Sequence, residues 1–308
     1  MSVPNVSEGR DEETIAAIAR AFLLDAGGPT AGRGRVRLLD VHSDRDHHRS
    51  VYTLAAGQGE LGESVLAGAR VAVERIEVVE RAGAGPDGHG QHPHVGAIDV
   101  VPLVYLRPRD RGAACAEALV LADRIGAELE VPVFLYGELS GEEPSTWRTR
   151  AELRRGGVNG LAARIADAAD PLRPDFGPAE LHRTAGATLL GARAPLVAFN
   201  VRLAAPAGIA DARRVAALIR EGGEEALAGV RALGIELEGG VAQVSTNIEQ
   251  PFEVPLVAVL EVVRRHADVD GAELVGLAPA AALEGYPPDV PIDGFDPARH
   301  VMENALGC

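Results

Sequence analysis

The 308-residue chain is 46% apolar and 24% charged, proportions of an ordinary globular protein rather than a disordered or membrane-embedded one. Its formal charge of −15 argues against nucleic acid and anionic membrane as partners, because both are held by an excess of Lys and Arg that releases counterions. Cys115 and Cys308 are too few for a disulfide framework or a thiolate metal site, and residues 1–9 carry no basic region leading into an apolar run, so a cytoplasmic setting is expected.

Residues 3–5 open a short strand. Asp11 then caps a helix in which Ile15, Ile18, Ala19, Phe22 and Leu23 recur at helical spacing, and Gly27, Gly28 and Pro29 end it. Residues 35–42 and 51–55 read as strands, and Leu61, Val65, Ala69, Ala72, Val73 and Ile76 share one face of a second helix. A buried strand at 96–106 completes a βαββαβ order. Another helix carries Cys115, Ala118, Leu119, Ala122, Ile125 and Leu129 on one stripe, and a strand follows at 131–136. Residues 165–187, rich in Pro, Asp and Gly, read as an interdomain connection. Beyond it come a strand at 196–203, a helix at 211–221, strands at 235–237 and 241–247, a helix at 255–265 and a strand at 272–277, again βαββαβ.

This pattern predicts an α+β fold of two ferredoxin-like subdomains, residues 1–180 and 181–286, followed by a tail at 287–308. The strands at 98–105 and 196–203 are expected to be central, and the uncovered sheet faces to meet across a cleft.

The segment Gly90-Gln91-His92-Pro93-His94-Val95-Gly96-Ala97-Ile98-Asp99 lies where a loop enters a buried strand. Pro93 and Gly96 restrict that loop, and an imidazole held there can accept and return a proton near neutral pH. A solvent-exposed His-Pro turn is the plain alternative. His89, His92 and His94 match no established zinc spacing, so no metal is expected.

At this motif the chain resembles the glutamate formimidoyltransferase family, which in animals forms the first domain of a bifunctional enzyme with a folate cyclodeaminase. Similar stretches are Val3-Pro4-Asn5-Val6-Ser7-Glu8-Gly9, Arg49-Ser50-Val51-Tyr52-Thr53 and Val131-Pro132-Val133-Phe134-Leu135-Tyr136-Gly137-Glu138. They continue through Pro174-Asp175-Phe176-Gly177-Pro178, Gly186-Ala187-Thr188, Gly191-Ala192-Arg193, Ala198-Phe199-Asn200, Ala242-Gln243-Val244-Ser245-Thr246-Asn247 and Leu274-Val275-Gly276-Leu277. Their order and coverage make the set specific.

The resemblance implies transfer of a formimino group between N5 of tetrahydrofolate, the co-substrate, and the amino group of L-glutamate. It also implies a folate cleft between the subdomains and a homodimer. By motif position His92 resembles the family's catalytic histidine. The family's folate-binding stretch maps onto Gly177, Pro178, Ala179, Glu180, Leu181, His182, Arg183, Thr184, Ala185 and Gly186. Arg49 and Arg193, and less directly Arg10, are candidates for substrate carboxylates because guanidinium forks match carboxylate geometry. Asn5 and Asn247 are candidate polar ligands, with a structural role at strand ends as the alternative. Asp99 either orients His92 or caps a backbone group, and Asp175 carries the same ambiguity. Tyr52 and Tyr136 flank a pterin or belong to the core.

The chain departs from the animal pattern in one loop. An acidic position is His42 here, and the Asn before the matching Arg is His48, leaving Asp44 or Asp46 to orient the imidazole. Three other readings stay open: the same fold acting on 5-formyl-tetrahydrofolate, a non-catalytic folate-binding protein, and a metallohydrolase built from His42, Asp44, Asp46, His89, His92 and His94. No second catalytic region follows the similar stretches, so a separate cyclodeaminase is expected downstream.

Overall fold

The computed structural model describes residues 1–23, 36–83 and 93–307. The chain divides into two compact units, Met1–Ala194 and Pro195–Cys308.

The first unit runs β1 (Asn5–Val6), α1 (Glu12–Phe22), β2 (Arg37–Asp44), β3 (Arg49–Ala55), α2 (Leu61–Arg75), α3 (Val78–Gly83), β4 (Ile98–Val104), α4 (Arg111–Leu129), β5 (Val133–Leu135), α5 (Arg150–Leu153), α6 (Gly157–Ile165) and β6 (Thr188–Arg193). Its sheet order is β2-β3-β1-β4-β6-β5. The first four strands pair antiparallel in the ferredoxin-like arrangement, and β6 and β5 extend the sheet in parallel beyond β4. This extension makes β4 central.

Local chemistry accounts for these elements. The Asp11 side chain accepts from the Glu13 N–H at 3.0 Å, satisfying a donor that α1 leaves open. Phe22 packs edge-on to Tyr52, with ring centroids 5.1 Å apart, and reaches α2 where that helix has Gly68. A Cβ there would lie 2.1 Å from the Phe22 ring. Tyr52 is therefore a core residue: it is wholly buried, and its hydroxyl donates to the Ile15 carbonyl at 3.1 Å.

The opposite sheet face is also covered in part. Val100, Phe134, Tyr136 and Leu189 form a second small core with Leu153 of α5 and Leu161 of α6.

The second unit runs β7 (Val197–Leu203), α7 (Ile209–Ile219), β8 (Val230–Glu236), β9 (Ala242–Ile248), α8 (Leu256–His266), β10 (Val269–Val275), α9 (Pro297–His300) and α10 (Met302–Leu306). Its four strands are antiparallel in the order β10-β7-β9-β8, the same topology, with β7 central. The strand period of two shows along β7, where Phe199 and Val201 join Val215, Ile219, Val259 and Val263 in one apolar cluster.

Three sequence expectations need correction. The unit division falls after Ala194 rather than near residue 180, because β6 hydrogen-bonds to β4 and β5 and so belongs to the first sheet. The strand expected at 235–237 is β8, which starts at Val230; its Gly234 reads as a break but gives α7 room to approach, since a Cβ would lie 2.2 Å from the Arg213 nitrogen. Residues 287–307 are no loose tail. The Ala272 N–H donates to Pro291 and the Asp293 N–H to Ala272, both at 2.9 Å, while Val290, Val301 and Met302 are buried.

Candidate functional site

Polar side chains concentrate at the end of the first unit's sheet where β4 begins. The chain enters β4 through residues 93–97, and neighbours hold this entry on two sides. Ser7, just past β1, donates its N–H to Ala97 at 2.9 Å and its hydroxyl to Gly96 at 2.7 Å. Across from it, the Ala97 N–H donates to Ala185 at 2.8 Å and the Ala187 N–H to Val95 at 2.9 Å. Gly96 is required: a Cβ there would lie 1.7 Å from the Ala187 carbonyl oxygen. Gly186, with φ of +73°, brings its own backbone against Val95.

The β1–β4 register skips one residue, with Asn5 opposite Val100 and Val6 opposite Ile98. Asp99 is the extra residue of this bulge. It is fully buried; one carboxylate oxygen accepts from the Val95 N–H at 2.8 Å and the other from Arg154. The acid thus fixes the loop's backbone while a guanidinium balances its charge.

A second knot joins the exit of β1, the β2–β3 turn and α3. The buried Glu8 carboxylate accepts from the N–H groups of Arg10 and Asp11 at 2.9 and 3.0 Å and from Arg81 at 2.8 Å. Although burial alone raises an acid, these donors hold Glu8 below the usual carboxylate range. His48 sits in the same knot with φ of 48°, unusual for a residue with a Cβ. The Gly9 N–H donates to its Nδ1 at 3.1 Å, and Arg81 lies 3.1 Å from its Nε2. Burial, against the opposing pull of Glu8, lowers its pKa to about 4, so the ring is neutral near pH 7.

In the same turn His47 lies 2.9 Å from Asp44 through Nδ1 and donates its backbone N–H to that acid at 2.8 Å. Burial works against ionisation there, yet these contacts bring the Asp44 carboxyl down to about 2. Asp44 is thereby engaged by its own turn.

Residues 1–193 match the model of the formiminotransferase domain, N-terminal subdomain, and residues 198–285 match that of the formiminotransferase domain. The chain belongs to the formiminotransferase family. It is 33% identical to a glutamate formimidoyltransferase of Streptococcus pyogenes serotype M1 over 99% of this chain and 97% of that protein. It is 32% identical to the Thermoplasma acidophilum glutamate formimidoyltransferase, covering 91% of this chain and 88% of the other. Against the formimidoyltransferase-cyclodeaminase of Sus scrofa it is 37% identical over 91% of its own length but spans 50% of that longer protein.

His92 and His89 lie outside the described residues; the described part of the formiminotransferase motif begins at Pro93. Of the folate-stretch candidates Gly177 to Gly186, the end at Ala185 and Gly186 is held against it by the backbone bonds of Ala185 and Ala187, whereas Gly177 packs against Gly126 and Val131. Within that stretch Gly177, Pro178, Ala179, Glu180 and Arg183 are exposed or nearly so, whereas Ala185 and Gly186 are buried. His182 closes it: its N–H donates to Gly186 at 2.9 Å, and its Nδ1 accepts from the Ala185 N–H at 3.0 Å.

The two arginine candidates do not share a pocket. Arg49 opens β3 at the end where β4 begins, whereas Arg193 is in register with Val104 at the other end of β4, a span of about 20 Å at the usual ~3.3 Å per residue. Arg193 instead donates to the Ala194 carbonyl at 2.9 Å. Burial first, then the nearby Arg154, lowers the pKa of Arg49 to about 10. Asn5 donates to the Val3 carbonyl at 3.0 Å, and His42 of β2 is in register with Val51 of β3. Asp175 accepts from the Leu135 N–H at 2.7 Å and pairs with Arg148, so it supports β5. Asn247 is half-buried on β9 of the second unit, in register with Ala198 and Arg231.

Glu8, Arg81 and Arg154 escaped the sequence reading as site residues. Glu8 carried a signal, since it stands in the Val3–Gly9 stretch, but Arg81 and Arg154 lie outside every family-like segment. Among the described residues no three His, Cys, Asp or Glu side chains are grouped to hold a metal ion, and no helix is long and apolar enough to cross a membrane.

Proposed function

We propose that this chain is a glutamate formimidoyltransferase, moving a formimino group between 5-formimino-tetrahydrofolate and L-glutamate, with tetrahydrofolate as co-substrate. The end-to-end match with the streptococcal protein of that name carries this reading. The bonding of residues 95–97 to 185–187 supports it, because these residues end the two segments that resemble the family's histidine motif and folate-binding stretch.

His92 is the proton-handling group in this proposal. In the glutamate-consuming direction the substrate ammonium loses a proton before its nitrogen attacks the amidine carbon. N5 of the folate then gains a proton and leaves. One imidazole serves both transfers, and acid–base help of this kind is worth roughly 10²–10⁴ in rate. Positioning of two bound substrates supplies more. The protein acts in the cytoplasm as a homodimer.

The deciding experiment follows absorbance of 5-formimino-tetrahydrofolate formed from formiminoglutamate and tetrahydrofolate. His92→Ala should lower kcat by roughly 10²–10⁴ with folate binding retained, and His94→Ala should cost much less. Turnover only with the formyl donor would replace the formimino assignment. Folate binding without any glutamate-dependent turnover would make the chain a binding protein.

A further inference from the structure

The face of the first sheet that carries α5 and α6 also holds a group of donors that the transferase reading has not used. Tyr52 and Leu54 lie in the core cluster beneath α1 and α2, so strand alternation sends Arg49 to the other face. Tyr136, directly after β5, packs on that face with Leu153 and Leu161. Its ring lies over Gly191, where a Cβ would come within 2.9 Å of Cζ. The Arg150 guanidinium sits 5.8 Å from the ring centroid, within cation–π range.

Tyr136 is 5% exposed, and its hydroxyl is buried without a hydrogen-bond partner among the described residues. An orphaned phenol of this kind costs free energy unless an acceptor arrives. The charges nearby point to the same acceptor. Arg150, in α5, and Arg154, directly after that helix, bring positive charge to this face of a chain whose net charge is −15. Asp99, the acid beside Arg154, is held by that arginine and by the Val95 N–H.

We propose that the Tyr136 hydroxyl and the Arg150 guanidinium hold a substrate carboxylate on this face, with Arg154 and Asp99 as positioning residues. The proposal rests on the transferase reading above. A phenol donor beside a guanidinium group matches the lone pairs of a carboxylate and offers nothing to a cation. The carboxylate belongs either to the amino acid or to the glutamate tail of the folate.

Calorimetric titration separates these sources. L-glutamate and tetrahydrofolate are titrated separately into the wild type, Tyr136→Phe, Arg150→Ala and Arg150→Lys. Loss of a hydrogen bond to a charged group should raise Kd for one ligand about ten-fold in Tyr136→Phe and about ten- to hundred-fold in Arg150→Ala, with Arg150→Lys between. The ligand affected identifies the source. Tyr136→Phe should melt no lower than the wild type, since the hydroxyl it loses has no partner among the described residues, so weaker binding is not a folding defect. Kd values within about two-fold of wild type for both ligands, in both Tyr136→Phe and Arg150→Ala, would overturn the pocket while leaving wild-type turnover untouched. A wild type that binds a ligand through these residues yet never turns over would sink the transferase reading and keep the pocket. A wild type that binds neither ligand would sink both.

Discussion

Arg81 of α3 donates to the buried carboxylate of Glu8 at 2.8 Å, joining a helix to the exit of β1 through a residue that follows no recognisable motif. His48 touches both partners, and its protonation state bears on whether the knot survives.

Because burial lowers the His48 pKa to about 4, the folded ring stays neutral while the unfolded ring protonates near 6.5. Between these values the unfolded state binds more protons, so stability falls as pH falls, by at most about 1.4 kcal/mol per unit. His48→Asn suits the left-handed backbone at this position and removes the titrating group. Urea midpoints measured from about pH 7 to 4 should decline in the wild type and flatten in the variant. An equal decline in both would assign the acid sensitivity elsewhere.

Gly96→Ala should be severe. The new methyl has no room against the Ala187 carbonyl, so the backbone bonds joining 95–97 to 185–187 must part. A loss of about 3–5 kcal/mol is expected on denaturation, with collapse of activity in any folded fraction.

Arg154→Met strands the fully buried Asp99 without its cation. Breaking one half of a buried pair costs about 3–5 kcal/mol. Adding Asp99→Asn should recover part of this, since the amide still offers an oxygen to Val95 without a charge. A double variant no more stable than Arg154→Met alone would show that the charge balance is not what Arg154 supplies.

Ending the chain after residue 286 should destabilise the second unit, because Val290, Val301 and Met302 leave its core and β10 loses its contacts with residues 291–293. Burial of a large apolar side chain contributes about 1.5–3 kcal/mol, so the thermal transition should fall well below that of the full chain. An unchanged transition would return these residues to the status of a tail.

The repeated βαββαβ order was legible because Ile18, Phe22, Val65 and Ala69, like Val215 and Ile219, keep helical spacing between short apolar strands. The parallel addition of β6 was not. Thr188–Arg193 has six residues and follows a Pro-rich run, and nothing local says that its partner is β4, far back along the chain. Residues 287–307 were missed for a related reason: their order comes from contacts with Ala272 and Ala278 rather than from any period of their own. At the site, short motifs marked the loop before β4 and the candidate stretch at 177–186, but Arg154 finds Asp99 only through a bulge that fixed-interval reading cannot see.

The placement of β4 between β1 and β6 also has a cost during synthesis. The strand Ile98–Val104 can pair with β1 as soon as it emerges, but its other edge waits for Thr188–Arg193, which leaves the ribosome much later. At about 5–20 residues per second that delay is on the order of 4–16 s. Through it the nascent chain shows an unpaired edge along Ile-Asp-Val-Val-Pro-Leu-Val, and Pro102 does not interrupt it, because the Pro102 carbonyl accepts from the Val3 N–H on the β1 side. An apolar edge with its donors intact is a template for another chain, and the ribosome-bound intermediate is the stage at which that matters most.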